Sequence, residues 1–341
     1  MKRLRTEKIS ACPVCGKFGR RIYSDLKDRL YDVQGTFSFQ QCPSCGLLWL
    51  DPRPIKKDIP KCYETYCTHE APREGPQAPR RPFAMVRDAL RTAILCGAYR
   101  YRHLHATHIL CRLSPLLVRF PWLEQKAIYG LRMPFPAYSL GLLIDIGCGN
   151  GSYLARMKDL GWKVLGIEPD PASAQIAKNK GIPVFSGSLE EAHLPEAIAD
   201  YITMTHVIEH LPDPRSTLRE CYRLLKPGGK VVVFTPNVDS LGHRLFRQAW
   251  MALDPPRHLM IFSVLSIDKL FRTVFSRVDV GTSSHFAREH YDASAVISQS
   301  GRVNLHRVRP QRGGLLFAVK ERLSCRLWNT GGEELKVVAV K

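Results

Sequence analysis

From about residue 139 to the end of the chain, apolar and polar positions follow a repeating order: a short apolar run, a turn, then an amphipathic stretch. Residues 142–146 form an apolar run that predicts a buried first strand. Residues 152–160 place Leu154, Met157 and Leu160 on one helical face, with Gly161 as a stop. Residues 164–167 predict a second strand. The helix after it has Asp170 as N-cap, Pro171 at its first position, Lys178 and Lys180 near its end and Gly181 just beyond. Residues 182–185, 201–205 and 230–234 predict three more strands, with a helix over 214–225 closed by Lys226-Pro227-Gly228-Gly229. Strands alternating with helices predict an α/β fold with a parallel sheet covered on its faces.

Upstream the pattern changes twice. Residues 71–79 are Pro-rich, a linker composition. A helical pattern covers about 83–113, where Phe83, Met85, Leu90, Ile94 and Leu95 accompany Arg87 and Arg91 as in an amphipathic helix. The expected organisation is therefore a small module over 1–70, a linker and basic helical insert over 71–138, and the α/β domain over 139–341.

Composition narrows the class. A hydrophobic share of 45% and a charged share of 24% over 341 residues support a globular core without disulfides. No long uncharged apolar run appears, and Met1 to Arg5 lead into no hydrophobic signal region, which predicts a cytoplasmic chain. The net charge of +19 attracts polyanions: nucleic acid, an anionic membrane surface or a phosphorylated small molecule. Residues 71–138 carry eleven Arg or Lys against three Asp or Glu, so much of that charge lies there. Its apolar content points to peripheral contact with a membrane, or to a partner, over nucleic acid.

Asp145-Ile146-Gly147-Cys148-Gly149-Asn150-Gly151 lies between the first strand and its helix, where glycines let the backbone turn tightly and approach a ligand. Ser152 stands where a dinucleotide fingerprint has its third glycine, which weakens a pyrophosphate reading. Glu168, 21 residues after Gly147, ends the second strand, where a carboxylate can accept from both ribose hydroxyls. An adenosine ligand follows.

With these motifs the segment 139–341 resembles the class I S-adenosylmethionine-dependent methyltransferases. It shares their acidic-x-Gly-x-Gly-x-Gly loop, the acid after strand two, and a Leu-Lys-Pro-Gly-Gly turn at Leu225 to Gly229. His206-Val207-Ile208-Glu209-His210-Leu211, Thr235-Pro236-Asn237 and Asp254 to Leu259 resemble the subgroup related to ubiquinone-biosynthesis methyltransferases. The resemblance implies a Rossmann-like seven-stranded sheet ending in a strand near 332–340. It also implies that Asp145, Gly147, Gly149 and Gly151 cradle S-adenosylmethionine, Glu168 binds its ribose, and Ser188 with Leu189 borders its adenine. Relatives carry Glu-x-x-Glu-His plus a later His, some with a divalent cation. Here the first carboxylate is His206, which weakens the case for a hard cation.

Cys12-Pro13-Val14-Cys15-Gly16 and Cys42-Pro43-Ser44-Cys45-Gly46 are near-identical knuckles that bring four sulfurs around one ion. Tetrahedral zinc is the expected occupant, with rubredoxin-type iron as the alternative, and four cysteine ligands leave no open position, so the metal is structural. Such zinc-ribbon modules precede some sugar and cell-surface methyltransferases, which the arrangement resembles.

His206 follows strand four at the sheet edge where open α/β folds bind ligands, and His210 lies one turn further on. Either can take a proton from an acceptor hydroxyl, and His206 also stands where a residue can contact the cofactor. The expected function is O-methylation of a small or lipid-linked metabolite, a sugar or related hydroxylated compound. The competing readings are an RNA methyltransferase docking through its basic surface, and a non-catalytic zinc-ribbon binding protein with a degenerate fold.

Overall fold

The computed structural model describes residues 4–63, 82–101, 104, 108–118, 135–137, 140–328 and 331–341. The expected linker 71–79 and the boundaries near 70 and 138 lie outside them. The chain forms two compact units, one of residues 68–193 with 198–201, the other of residues 1–67, 194–197 and 202–341. No helix among the described residues is long and apolar enough to cross a membrane.

The N-terminal segment contributes β1 (Thr6–Glu7), β2 (Arg20–Leu26), β3 (Phe37–Gln41), β4 (Leu48–Leu50) and β5 (Arg53–Pro54). The first and fifth pair with each other, and β2, β3 and β4 form an antiparallel meander.

In the unit of residues 68–193 the helical pattern resolves into α1 (Pro82–Gly97) and α2 (His108–Leu117). Arg100, in the left-handed region at φ 63°, lies in the break between them. A Cβ at Gly97 would collide with Ser114 and the Cys111 carbonyl, so glycine is what lets the two helices close on each other. Ile94 and Leu95, expected to face a membrane, are buried. These two positions pack against protein, which removes the basis for placing them on lipid. Arg81 and Arg102 lie outside the described residues.

The same unit holds β6 (Leu142–Ile146), α3 (Ser152–Asp159), β7 (Lys163–Glu168), α4 (Pro171–Asn179) and β8 (Val184–Ser186), with β6, β7 and β8 parallel. Asp170 caps α4 by accepting from the Ser173 N–H at 2.7 Å, as its sequence position implies. Tyr101 takes a hydrogen bond from Trp162 Nε1 at 2.9 Å and donates to the Phe135 carbonyl at 2.6 Å, which anchors the edge of α1 near β7.

From β9 (Ala199–Thr205) the chain continues through α5 (Pro214–Leu224), β10 (Leu225–Pro236), α6 (Leu241–Phe246), β11 (Met260–Ile261), α7 (Val264–Phe271), β12 (Arg277–Ser283), α8 (Ala287–Ser300), α9 (Gly314–Trp328) and β13 (Glu334–Val340). The Leu-Lys-Pro-Gly-Gly segment opens β10 itself, so this strand is longer than its apolar core predicts. The last strand is antiparallel to both β10 and β12. Seven strands hydrogen-bond in the order β12-β13-β10-β9-β6-β7-β8, the Rossmann-like methyltransferase sheet that the sequence implies.

A second sheet runs β11-β4-β3-β2. Leu26, Phe37, Phe39, Leu48 and Leu50 share one apolar core with Val238, Trp250, Leu253, Leu259 and Ile261. The cysteine-bearing segment is thus folded onto residues 238–261 of its own unit.

Candidate active site

Gly147, Gly149 and Gly151 all adopt positive φ, at 69°, 53° and 71°, a conformation that only glycine takes without strain. At Gly151 a Cβ would also come within 2.7 Å of the Ala177 Cβ, so this glycine lets α3 close onto α4. At Gly149 the missing Cβ faces open space, leaving the backbone bare where a ligand can press against it. Glu168 ties the loop to the end of β7: one oxygen accepts from the Gly149 N–H at 2.7 Å, the other from the Asp170 N–H at 2.9 Å. Asp145 and Glu168 are buried. Burial, reinforced by these two carboxylates, pushes the Cys148 thiol well up, so it stays protonated and unreactive. After β8, Leu189 is buried while the Ser188 N–H bonds to Glu191 at 2.7 Å. Asp145, the three glycines, Glu168, Ser188 and Leu189 thus belong to the unit of residues 68–193. A glycine turn with open space at Gly149, backed by a fixed carboxylate, fits an adenosine-bearing cofactor.

His206 and His210 belong to the other unit. His206 directly follows β9 and sits in the left-handed region, at φ 52°, a conformation that costs energy outside glycine. Its Nδ1 meets Glu209 at 3.3 Å and its Nε2 meets Glu334 at 2.9 Å. Burial disfavours the imidazolium, but the two carboxylates outweigh it and raise its pKa to about 9. Glu209 is fully buried and accepts from the Thr235 hydroxyl at 2.9 Å. His210 Nδ1 faces the Tyr63 hydroxyl at 2.8 Å and the Arg257 carbonyl at 3.0 Å. Burial, then the neighbouring His258, lower its pKa to about 4. Sequence reasoning did not reach Glu334 or Tyr63, because neither lies near the histidine motif in sequence.

Donor atoms of Glu209, His210 and His258 lie within 4.8 Å of one another. His258 directs Nδ1 at the Ala252 carbonyl, 2.7 Å away, which turns Nε2 toward the cluster. Two imidazoles and one carboxylate suit a transition metal better than magnesium.

The sulfurs of Cys12, Cys15, Cys42 and Cys45 also lie within 4.8 Å of one another. Separations of 3.6 Å (Cys12–Cys45), 3.4 Å (Cys15–Cys42) and 3.7 Å (Cys15–Cys45) approach the ~3.75 Å edge of a tetrahedron with bonds of about 2.3 Å to zinc. Each knuckle closes the same way, with the Gly16 N–H on the Cys12 carbonyl at 2.9 Å and the Gly46 N–H on the Cys42 carbonyl at 3.0 Å.

Residues 102–274, about half of the chain, match the methyltransferase-domain family. The chain belongs to the class I S-adenosylmethionine-dependent methyltransferases. Over 97 residues it is 36% identical to the "probable S-adenosylmethionine-dependent methyltransferase" of Mycolicibacterium smegmatis, covering 28% of this chain and 38% of that protein. Over 133 residues it is 34% identical to the ubiquinone biosynthesis O-methyltransferase of Pseudomonas aeruginosa, covering 37% of this chain and 52% of that one. The matched stretches therefore span at most about half the length of these two relatives. Among solved structures, the phosphoethanolamine N-methyltransferase 2 of Haemonchus contortus, in complex with S-adenosyl-L-methionine, aligns with a TM-score of 0.44 at 15% identity. That alignment covers 92% of this methyltransferase and 70% of that chain.

Proposed function

We propose that this methyltransferase moves the methyl group of S-adenosylmethionine to a hydroxyl oxygen of a small or lipid-linked metabolite, a sugar or related hydroxylated compound. The bare Gly149 backbone beside the fixed Glu168 carboxylate carries the reading. In it Gly147, Gly149 and Gly151 with Asp145 cradle the cofactor, Glu168 holds the ribose, and Ser188 with Leu189 borders the adenine. The Pseudomonas relatives, named as O-methyltransferases, support oxygen as the acceptor atom.

Held by Asp145, Gly147, Gly149, Gly151 and Glu168, S-adenosylmethionine would supply an electrophilic sulfonium methyl to the acceptor oxygen, its sulfur keeping the electron pair of the carbon–sulfur bond. What remains for the protein is alignment and removal of the hydroxyl proton. Both ring nitrogens of His206 are engaged by carboxylates, so it is the positioning residue, contacting acceptor or cofactor with its cationic edge. The base is His210, whose Nδ1 is occupied by Tyr63 or Arg257 and whose Nε2 has no bond to another described residue. Labelled S-adenosylmethionine incubated with fractionated metabolites tests this. His210→Gln is expected to bind cofactor normally yet transfer no label, and unchanged transfer by that variant would remove His210 from the role.

We further infer that the four cysteines hold a structural zinc, supported by their near-tetrahedral spacing. Peripheral contact with an anionic membrane is supported by α9, where Leu315, Leu316, Val319, Leu323 and Leu327 are 45–74% exposed. Lys320, Arg322 and Arg326 are exposed among them, whereas the only acid of the helix, Glu321, is buried. An apolar band flanked by cations is the pattern of a helix lying in a lipid interface.

A further inference from the structure

The unit holding the cysteine knuckles contains a cavity of about 660 Å³ bordered by β2, the segment after α6 and the end of α8. It lies among residues that the preceding roles do not use. Arg29 and Arg247 line it together with Tyr23, Phe246 and Ile297, and no acidic side chain does.

Arg29 is the decisive group. Its Nη1 is buried and has no hydrogen-bond partner, and no ion pair to another described residue satisfies the guanidinium. The two acids nearby are already taken. Arg257 forks onto Asp28, with Nη1–Oδ2 at 2.8 Å and Nη2–Oδ1 at 2.7 Å, and holds Asp254 through Nε at 3.0 Å and Nη2 at 2.5 Å. Arg29 is part-buried and lines the cavity, and a guanidinium left without a carboxylate in such surroundings is costly unless a ligand in the cavity supplies an acceptor to its accessible edge. Burial accordingly lowers the pKa of Arg29, opposed by the field of Asp254.

The rest of the wall fits the same ligand. Arg247 is held at φ 48° and ψ −118°, a conformation that costs energy outside glycine and persists where the surroundings enforce it. Its charge reaches Tyr23. Tyr23 is fixed in turn by His243: the imidazole Nδ1 donates to the Val238 carbonyl at 2.6 Å, so Nε2 is left to accept from the Tyr23 hydroxyl at 2.9 Å. The ring of Tyr23 is therefore a set wall beside the cations. Two guanidiniums match the two charges of a phosphomonoester and bind its oxygens through forked N–H groups. The volume, within the roughly 300–1,000 Å³ of small-molecule sites, leaves room for an organic body against Tyr23, Phe246 and Ile297.

We propose that this cavity binds a phosphoryl group carried on an apolar or aromatic body, by pairing it with Arg29 and Arg247. The site does not involve Glu168 or His210, so it stands or falls separately from the cofactor and base assignments.

Calorimetry on the full chain, with phenyl phosphate, inorganic phosphate and benzoate as probes and S-adenosylmethionine binding as the folding control, tests it. Phenyl phosphate is expected to saturate one site and to bind at least tenfold tighter than phosphate, which lacks the ring, and than benzoate, which has one charge. Arg29→Gln and Arg247→Gln are each expected to weaken it tenfold or more with cofactor binding intact, whereas Arg244→Gln, outside the cavity lining, leaves it unchanged. If Arg29→Gln does not fold, Arg247→Gln, an exposed position, decides alone. Absence of saturable binding to the parent, equal binding of benzoate, or full binding by Arg247→Gln would overturn the proposal.

Discussion

Arg257 and Asp28, 229 residues apart in the chain, meet as a bidentate ion pair in which both side chains are fully buried. Asp28 also accepts the backbone N–H groups of Leu30 at 2.9 Å and Val33 at 3.0 Å, which fixes the loop after β2. Burial opposes the ionised form of Asp28, but Arg257 and these N–H groups outweigh it and hold its pKa down.

Breaking that pair should be expensive, because each partner then leaves the other's charge buried. Arg257→Leu is expected to lose about 3–5 kcal/mol of unfolding free energy. Denaturant titration measures it, and a loss below about 1 kcal/mol would mean that water reaches Asp28.

Glu168→Ala should weaken S-adenosylmethionine binding by tenfold or more, since hydrogen bonds to a charged group are worth roughly 1.5–3 kcal/mol. The variant also frees the Gly149 N–H, so its glycine turn should exchange amide hydrogen faster. Isothermal titration and hydrogen exchange read the two effects separately.

One zinc per chain is expected, lost when Cys12, Cys15, Cys42 or Cys45 becomes Ser. Trp49 lies on β4 and donates to the Ile9 carbonyl at 2.9 Å, so metal removal should shift its emission. The shared core with Trp250 and Leu253 predicts that the change spreads beyond the N-terminal segment. Elemental analysis finding neither zinc nor iron would exclude the site.

Glu321 sets a pH dependence of unusual sign. Its Oε1 accepts from the Glu333 N–H at 2.6 Å, its Oε2 is buried with no partner, and burial, then the nearby Glu333 charge, raise its pKa to about 9. The folded protein therefore holds a proton that the unfolded chain releases near pH 4.3. The contribution to stability is full below about pH 4.3 and declines as pH rises toward 9, by on the order of 3 kcal/mol at pH 7. Glu321→Gln should abolish that decline and be more stable than the parent at pH 8 but not at pH 4. Equal melting shifts at both values would refute it.

For α9, Leu316→Asp with Leu323→Asp should release the protein from vesicles containing phosphatidylserine without altering its fold. Binding of the parent should fall steeply as salt rises, because the cations contribute through a screened field. Indifference of the parent to anionic lipid would end the membrane reading.

Much of this was legible in residue order. The apolar run of β6, the Asp170-Pro171 start of α4 and the paired Cys-x-x-Cys turns are local signals, and the structure has the strand, the helix start and the cysteine cluster where they point. The glycine turn and Glu168 were equally visible, because both sit at strand ends. Non-local features were not. Met260–Ile261 is too short a strand to show periodicity, Glu334 reads as an ordinary polar residue opening the last strand, and nothing near Asp28 announces Arg257. The 83–113 pattern misled as to environment, since an amphipathic stripe looks the same whether it meets lipid or, as for Ile94 and Leu95, protein.

The second sheet has a consequence for synthesis. The Ser263 hydroxyl holds the Cys45 carbonyl at 2.5 Å across 218 residues, and β11 covers the edge of β4. On the ribosome the knuckles emerge before Met260 and Ile261, so Leu48, Trp49 and Leu50 keep an open, apolar strand edge until the residues that close it have left the exit tunnel. Such an edge pairs readily with other chains. A product stopped short of Met260 is therefore expected to be sticky even when loaded with metal.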